Sequence, residues 1–67
     1  MNIILTGVSH KGKNRCRENG KVWTVITDAA FQGQPAFMVE SVLTKDRRWV
    51  LKENDCDFKI SFNLEVQ

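Results

Sequence analysis

The chain has 67 residues, 42% of them hydrophobic, and a net charge of +2, which fits one small domain spanning residues 1–67. A chain this short buries a modest share of its surface and is marginally stable alone, so Trp23, Phe31, Phe37, Trp49, Phe58 and Phe62 must supply much of its apolar area. The net charge is too small to dictate a polyanionic partner, and no window reaches the roughly eighteen apolar residues of a membrane span.

The opening Met1-Asn2-Ile3-Ile4-Leu5 lacks the charged start and long apolar run of a secretory signal. The expectation is a cytoplasmic chain with Cys16 and Cys56 as reduced thiols. Asn2 to Val8 is β-branched and apolar and reads as a first strand, with Gly7 at a bend or bulge. Ser9 to Gly20 reads as a long polar loop ending in the turn signal Asn19-Gly20. Lys21 to Thr27 is the second strand. Asp28 to Pro35 is a loop broken by Gly33 and Pro35. Ala36 to Val42 is the third strand, Thr44 to Arg47 a charged turn and Arg48 to Lys52 the fourth strand. Glu53 to Cys56 turns the chain once more.

The last stretch alternates without a fault. Phe58, Ile60, Phe62, Leu64 and Val66 fall on one side, and Asp57, Lys59, Ser61, Asn63 and Glu65 on the other. That period of two predicts a fifth strand with one buried face. The predicted core is Phe58, Ile60 and Phe62 with Val25, Phe37, Val39 and one tryptophan. No segment carries three turns of 3.6-residue periodicity, so the class is all-β.

Five short strands with a long first loop and tight later connections resemble a small SH3-like barrel. An OB-like barrel or a bent antiparallel sheet is the second choice. A closed barrel removes the edges that invite aggregation. Within this order, Ala36-Phe37-Met38-Val39-Glu40-Ser41 is similar to the central strand of plasmid-type (type II) dihydrofolate reductases, SH3-like barrels with one active site at a tetramer pore. That family's active-site strand carries Gln-Ile-Tyr, where this chain reads Arg48-Trp49-Val50-Leu51-Lys52 and has no tyrosine. The resemblance implies fold, not activity.

The basic stretch is the clearest functional feature. Ser9 to Lys21 carries five basic residues and one acidic, +4, and the rest of the chain therefore carries −2. Lys11, Lys13, Arg15 and Arg17 recur at every second position, and in an extended loop all four would point one way, toward a phosphate backbone or an acidic protein. Gly12 would let the loop approach a partner closely. Arg47-Arg48-Trp49 sets an aromatic beside cations, as base stacking requires. Zinc would need a Cys-x-x-Cys knuckle or a histidine pair, and neither exists. His10, Ser9 and Ser41 have no motif around them that activates a nucleophile. No catalytic residue, metal or cofactor is therefore expected. The reading is a non-enzymatic cytoplasmic binding module, a monomer or small homo-oligomer, of the kind small bacteriophage or mobile-element genes encode. It would bind and modulate a larger host or regulatory protein through Lys11, Lys13, Arg15, Arg17, Arg47, Arg48 and Trp49. The alternative is single-stranded or duplex nucleic-acid binding through residues 11–17.

Overall fold

The computed structural model describes residues 1–62; Asn63, Leu64, Glu65 and Val66, expected in the fifth strand, lie outside them. Five strands, β1 (Asn2–Gly7), β2 (Val22–Phe31), β3 (Gln34–Ser41), β4 (Arg47–Leu51) and β5 (Phe58–Ser61), form one antiparallel sheet in the order β4-β3-β2-β1-β5. The mainly β class and the five expected strands are there.

The first correction is that residues 10–19 are not a loop. They form α1 (His10–Asn19). Ser9 caps it, its Oγ accepting from the Gly12 N–H at 2.9 Å. Gly20 ends it at φ 81°, a conformation glycine adopts freely, with its N–H donating to the Cys16 carbonyl at 2.8 Å. The inward residues are Gly12, Cys16 and Asn19, spaced i, i+4, i+7 as one helical face requires. Among the described residues no helix is long and apolar enough to cross a membrane.

The second correction concerns residues 28–35. β2 and β3 run into them and leave a two-residue turn, Gln32 and Gly33, both at positive φ (54° and 80°). That is the turn whose twist suits a tight hairpin. A register shift between Val25 and Thr27 marks a bulge at Ile26. The extra residue flips the alternation, as a bulge does. Trp23 and Val25 face the core before it, while Phe31 lies on the opposite face after it, stacked on Trp49 at 5.3 Å and 15°.

The core is Ile3, Leu5, Cys16, Trp23, Phe37, Val39, Val50 and Phe58, with Val25 and Ile60 packed against it. Trp23, Val25, Phe37, Val39, Phe58 and Ile60 are thus placed as expected. Phe62 is not: it is 57% exposed and meets Phe37 only edge to face at 6.1 Å. Among the described residues β5 is an edge strand of four residues, paired with β1 alone.

The sheet curls strongly. Phe37 of β3 reaches Phe62 beyond β5, and the Arg48 guanidinium of β4 lies 5.6 Å from the Phe58 ring. Among the described residues no ladder joins β4 to β5, so the sheet is open and does not close into the expected barrel. Asp55 spans the gap instead. Its carboxylate accepts from the backbone N–H of Leu51 at 2.9 Å, Asp57 at 2.9 Å and Phe58 at 3.1 Å.

Cys16 lies in the core, not in a polar loop. Its thiol donates to the Leu5 carbonyl at 3.4 Å, and burial pushes its pKa up, which holds it in the unreactive thiol form. Cys56 is exposed. The expected result with an aromatic disulfide reagent is one fast thiol per native chain, Cys56, with Cys16 reacting only after denaturation. Two fast thiols would mean that α1 does not cover the core.

Candidate functional site

On a helix, residues two apart are turned by about 200° and residues four apart by about 40°. The every-second-residue spacing of Lys11, Lys13, Arg15 and Arg17 therefore splits them. Lys13 and Arg17 share one flank of α1, Lys11 and Arg15 the other, and Gly12 and Cys16 turn inward between them. Gly12 does allow a close approach, but to the chain's own backbone at Gly7 and Asp57.

On the first flank, Lys13 and Arg17 meet Lys21 around a groove of about 260 Å³ floored by Thr6, Gly7 and Cys16. Among the described residues no carboxylate lines it. Lys13 and Lys21 have no ion pair among the described residues, and Arg17 donates only to the neutral Asn14 side chain at 3.0 Å. Three like charges around a mostly apolar floor focus a positive potential there.

Lys21 also borders a second hollow of about 310 Å³, lined by Val22, Val42 and Leu43 beside Asn19 and Gly20. Leu43 is 73% exposed and Val42 46%. The turn that carries them is pinned. The Ser41 hydroxyl donates to the Asn19 carbonyl at 2.6 Å and accepts from the N–H of Leu43 and of Thr44, both at 3.1 Å. Val42 N–H donates to the Val22 carbonyl at 3.2 Å. The backbone that carries two exposed aliphatic side chains is thus pinned at the end of α1.

The second flank differs. Lys11 is exposed, and Arg15 contacts Glu18 at 3.3 Å. Arg47 and Trp49 share the outer face of β4, two residues apart, and Arg48 faces the other way. Arg47 bonds Glu40 at 3.0 Å on the outer face of the sheet. Arg48 sits opposite Val39 on the core-facing side, 3.6 Å from Asp46. Trp49 is half-buried against Phe31, and the two rings stand either side of the small Ala36, which is fully covered.

Lys21, Val22, Val42 and Leu43 were not among the sequence candidates. Exposed and buried aliphatics look alike in a sequence, and only Lys21, directly after the helix-ending glycine, belonged to the charged stretch already noticed. His10 opens α1 and is exposed. Asp55, Cys56 and Asp57 bring ligand atoms within 4.8 Å of one another, but both carboxylates hold the fold: Asp55 as above, and Asp57 by accepting from the Ser9 hydroxyl at 2.6 Å.

Among known proteins, no family model matches the chain, and no curated protein or solved structure matches it significantly.

Proposed function

We infer that the chain is a non-enzymatic binding module with an SH3-like strand arrangement. It docks on a larger host or regulatory protein by taking an acidic segment with one apolar anchor across the end of α1. The observation that carries this reading is that Lys21 borders both a groove with Lys13 and Arg17, lined by no described carboxylate, and an exposed aliphatic hollow with Val22, Val42 and Leu43. A protein partner uses both halves: a buried apolar anchor supplies affinity, and complementary charge supplies orientation and association rate. Single-stranded nucleic acid would use the cations but wants an aromatic platform beside them. The residues beside this groove are aliphatic, and the rings of Trp49 and Phe31 stack on each other elsewhere.

The test is fluorescence anisotropy with a labelled acidic peptide carrying a leucine cluster, the same peptide with the leucines replaced by serine, and labelled single-stranded and duplex oligonucleotides. Only the leucine-bearing peptide should bind well. Leu43→Ser should weaken it by about tenfold or more, since burying a leucine contributes about 1.5–3 kcal/mol and tenfold is about 1.4 kcal/mol. Lys13→Glu with Arg17→Glu should mainly slow association. The reading fails if the oligonucleotides bind more tightly, with affinity falling at a log–log salt slope of about −0.7 per phosphate and no response to Leu43→Ser.

A further inference from the structure

Two buried side-chain polar atoms have no hydrogen-bond partner among the described residues: Nε of Arg15 and Nε of Arg48. They come from different elements, α1 and β4, yet both side chains line the same open cleft between the last turn of α1 and the β3–β4 turn, together with Lys45 and the carboxylates of Glu18 and Asp46. A buried unpaired donor in a native fold calls for a physical reason. For Arg48 the question is sharper, because it occupies a core-facing strand position opposite Val39, with its side chain only 22% exposed.

We propose that this cleft binds a phosphate-type oxyanion, with Arg15 and Arg48 as its two forks and Lys45 as a third cation. The walls are already built. Asn19 accepts from the Thr44 hydroxyl, Ser41 N–H donates to the Asp46 carbonyl at 2.8 Å, and Lys45 N–H donates to the Ser41 carbonyl at 3.0 Å. These bonds hold the helix end and the turn together. Lys45 has no ion pair among the described residues. Glu18 and Asp46 each contact one guanidinium, at 3.3 and 3.6 Å, from side chains 61% and 50% exposed. They act as loose substitutes: each leaves the Nε of its arginine unpaired. A carboxylate has two oxygens to offer. A phosphate monoester has three, enough for two separate forks and an ammonium, and guanidinium geometry suits it. Binding turns the two guanidinium groups toward the cleft and releases the carboxylates to water.

The experiment follows the arginine Nε–Hε signals by NMR while the intact protein is titrated with inorganic phosphate, with a phosphoserine peptide and, at matched ionic strength, with chloride. The Arg15 and Arg48 signals should move together and saturate with one dissociation constant for the phosphate-bearing probes, and stay put with chloride. Tighter binding of the peptide would assign the phosphate to a modified chain; equal binding would assign it to free phosphate. Arg48→Lys keeps the charge but loses the fork and should weaken binding about tenfold; Arg15→Lys gives the same reading should Arg48→Lys fail to fold. Signals that drift equally with all three solutes would overturn the site, as would shifts confined to Arg17.

Discussion

Gly12→Ala is expected to destroy the native fold, although alanine is the better helix former by about 1 kcal/mol. A Cβ built on Gly12 falls on the carbonyl oxygen of Asp57, 2.9 Å from its carbonyl carbon and 3.3 Å from the Gly7 Cα. All three are backbone atoms, and the Asp57 segment is held from both sides. Its carbonyl accepts from Val8 N–H at 2.8 Å and its carboxylate from the Ser9 hydroxyl at 2.6 Å. Relief therefore requires α1 to lift off β1, taking Cys16 out of the core. Overpacking commonly costs about 1–3 kcal/mol, and more where only backbone can move. A domain of this length has roughly 3–10 kcal/mol in total. The two effects have opposite signs, so one measurement decides between them. Urea denaturation of Gly12→Ala should show no cooperative transition, or a midpoint far below that of the wild type. A midpoint equal to or above it would mean that helix propensity governs residue 12 and that α1 does not pack there.

The same glycine explains why the helix was hidden in the sequence. Its buried stripe is Gly12, Cys16 and Asn19, which has helical spacing but no apolar signal to make the spacing visible. Its end, Asn19-Gly20, carries the signature of a hairpin turn as well as that of a helix C-terminus, and the polar residues before it favoured neither. The strands were legible because their inward positions are Ile, Leu, Trp, Val and Phe. Even there, the bulge at Ile26 moved Phe31 from one face to the other, which no alternation count reveals. Pro35 masked the Gln32-Gly33 turn by sitting at the start of a strand instead of in a loop. The fifth strand alternates well and its Phe62 was expected in the core, but among the described residues β5 pairs with β1 alone and leaves Phe62 largely in water. For the site, composition located the charge. The helix then dealt it out to two flanks, and the aliphatic half of the surface came from residues whose exposure depends on the Ser41 and Asn19 hydrogen bonds.

Trp23→Ala should be as damaging, by the opposite route. Trp23 has no exposed surface, and it pairs with Ile3 on one side and Ser41 on the other, at the middle of the sheet. Its indole Nε1–H donates to the Gly20 carbonyl at 3.1 Å, so the ring also ties the end of α1 to β2. Truncation removes the largest fully buried side chain and leaves a void bounded by a curled sheet that cannot collapse freely. Large-to-small changes of this kind cost about 3–5 kcal/mol, and the stranded carbonyl adds about 1 kcal/mol. That approaches or exceeds the roughly 3–10 kcal/mol available. Trp23→Phe separates the two contributions. It keeps an aromatic ring in the core and loses the indole donor with part of the buried volume, so it should fold with a smaller loss while Trp23→Ala does not. Urea denaturation followed by far-ultraviolet circular dichroism supplies the readout, because both variants have lost the Trp23 emission. A Trp23→Ala variant that unfolds cooperatively near the wild-type midpoint would show that the core does not centre on this ring. The alignment of Lys21, Val22 and Leu43 at the end of α1, which the Trp23 bond to Gly20 helps fix, would then need another anchor.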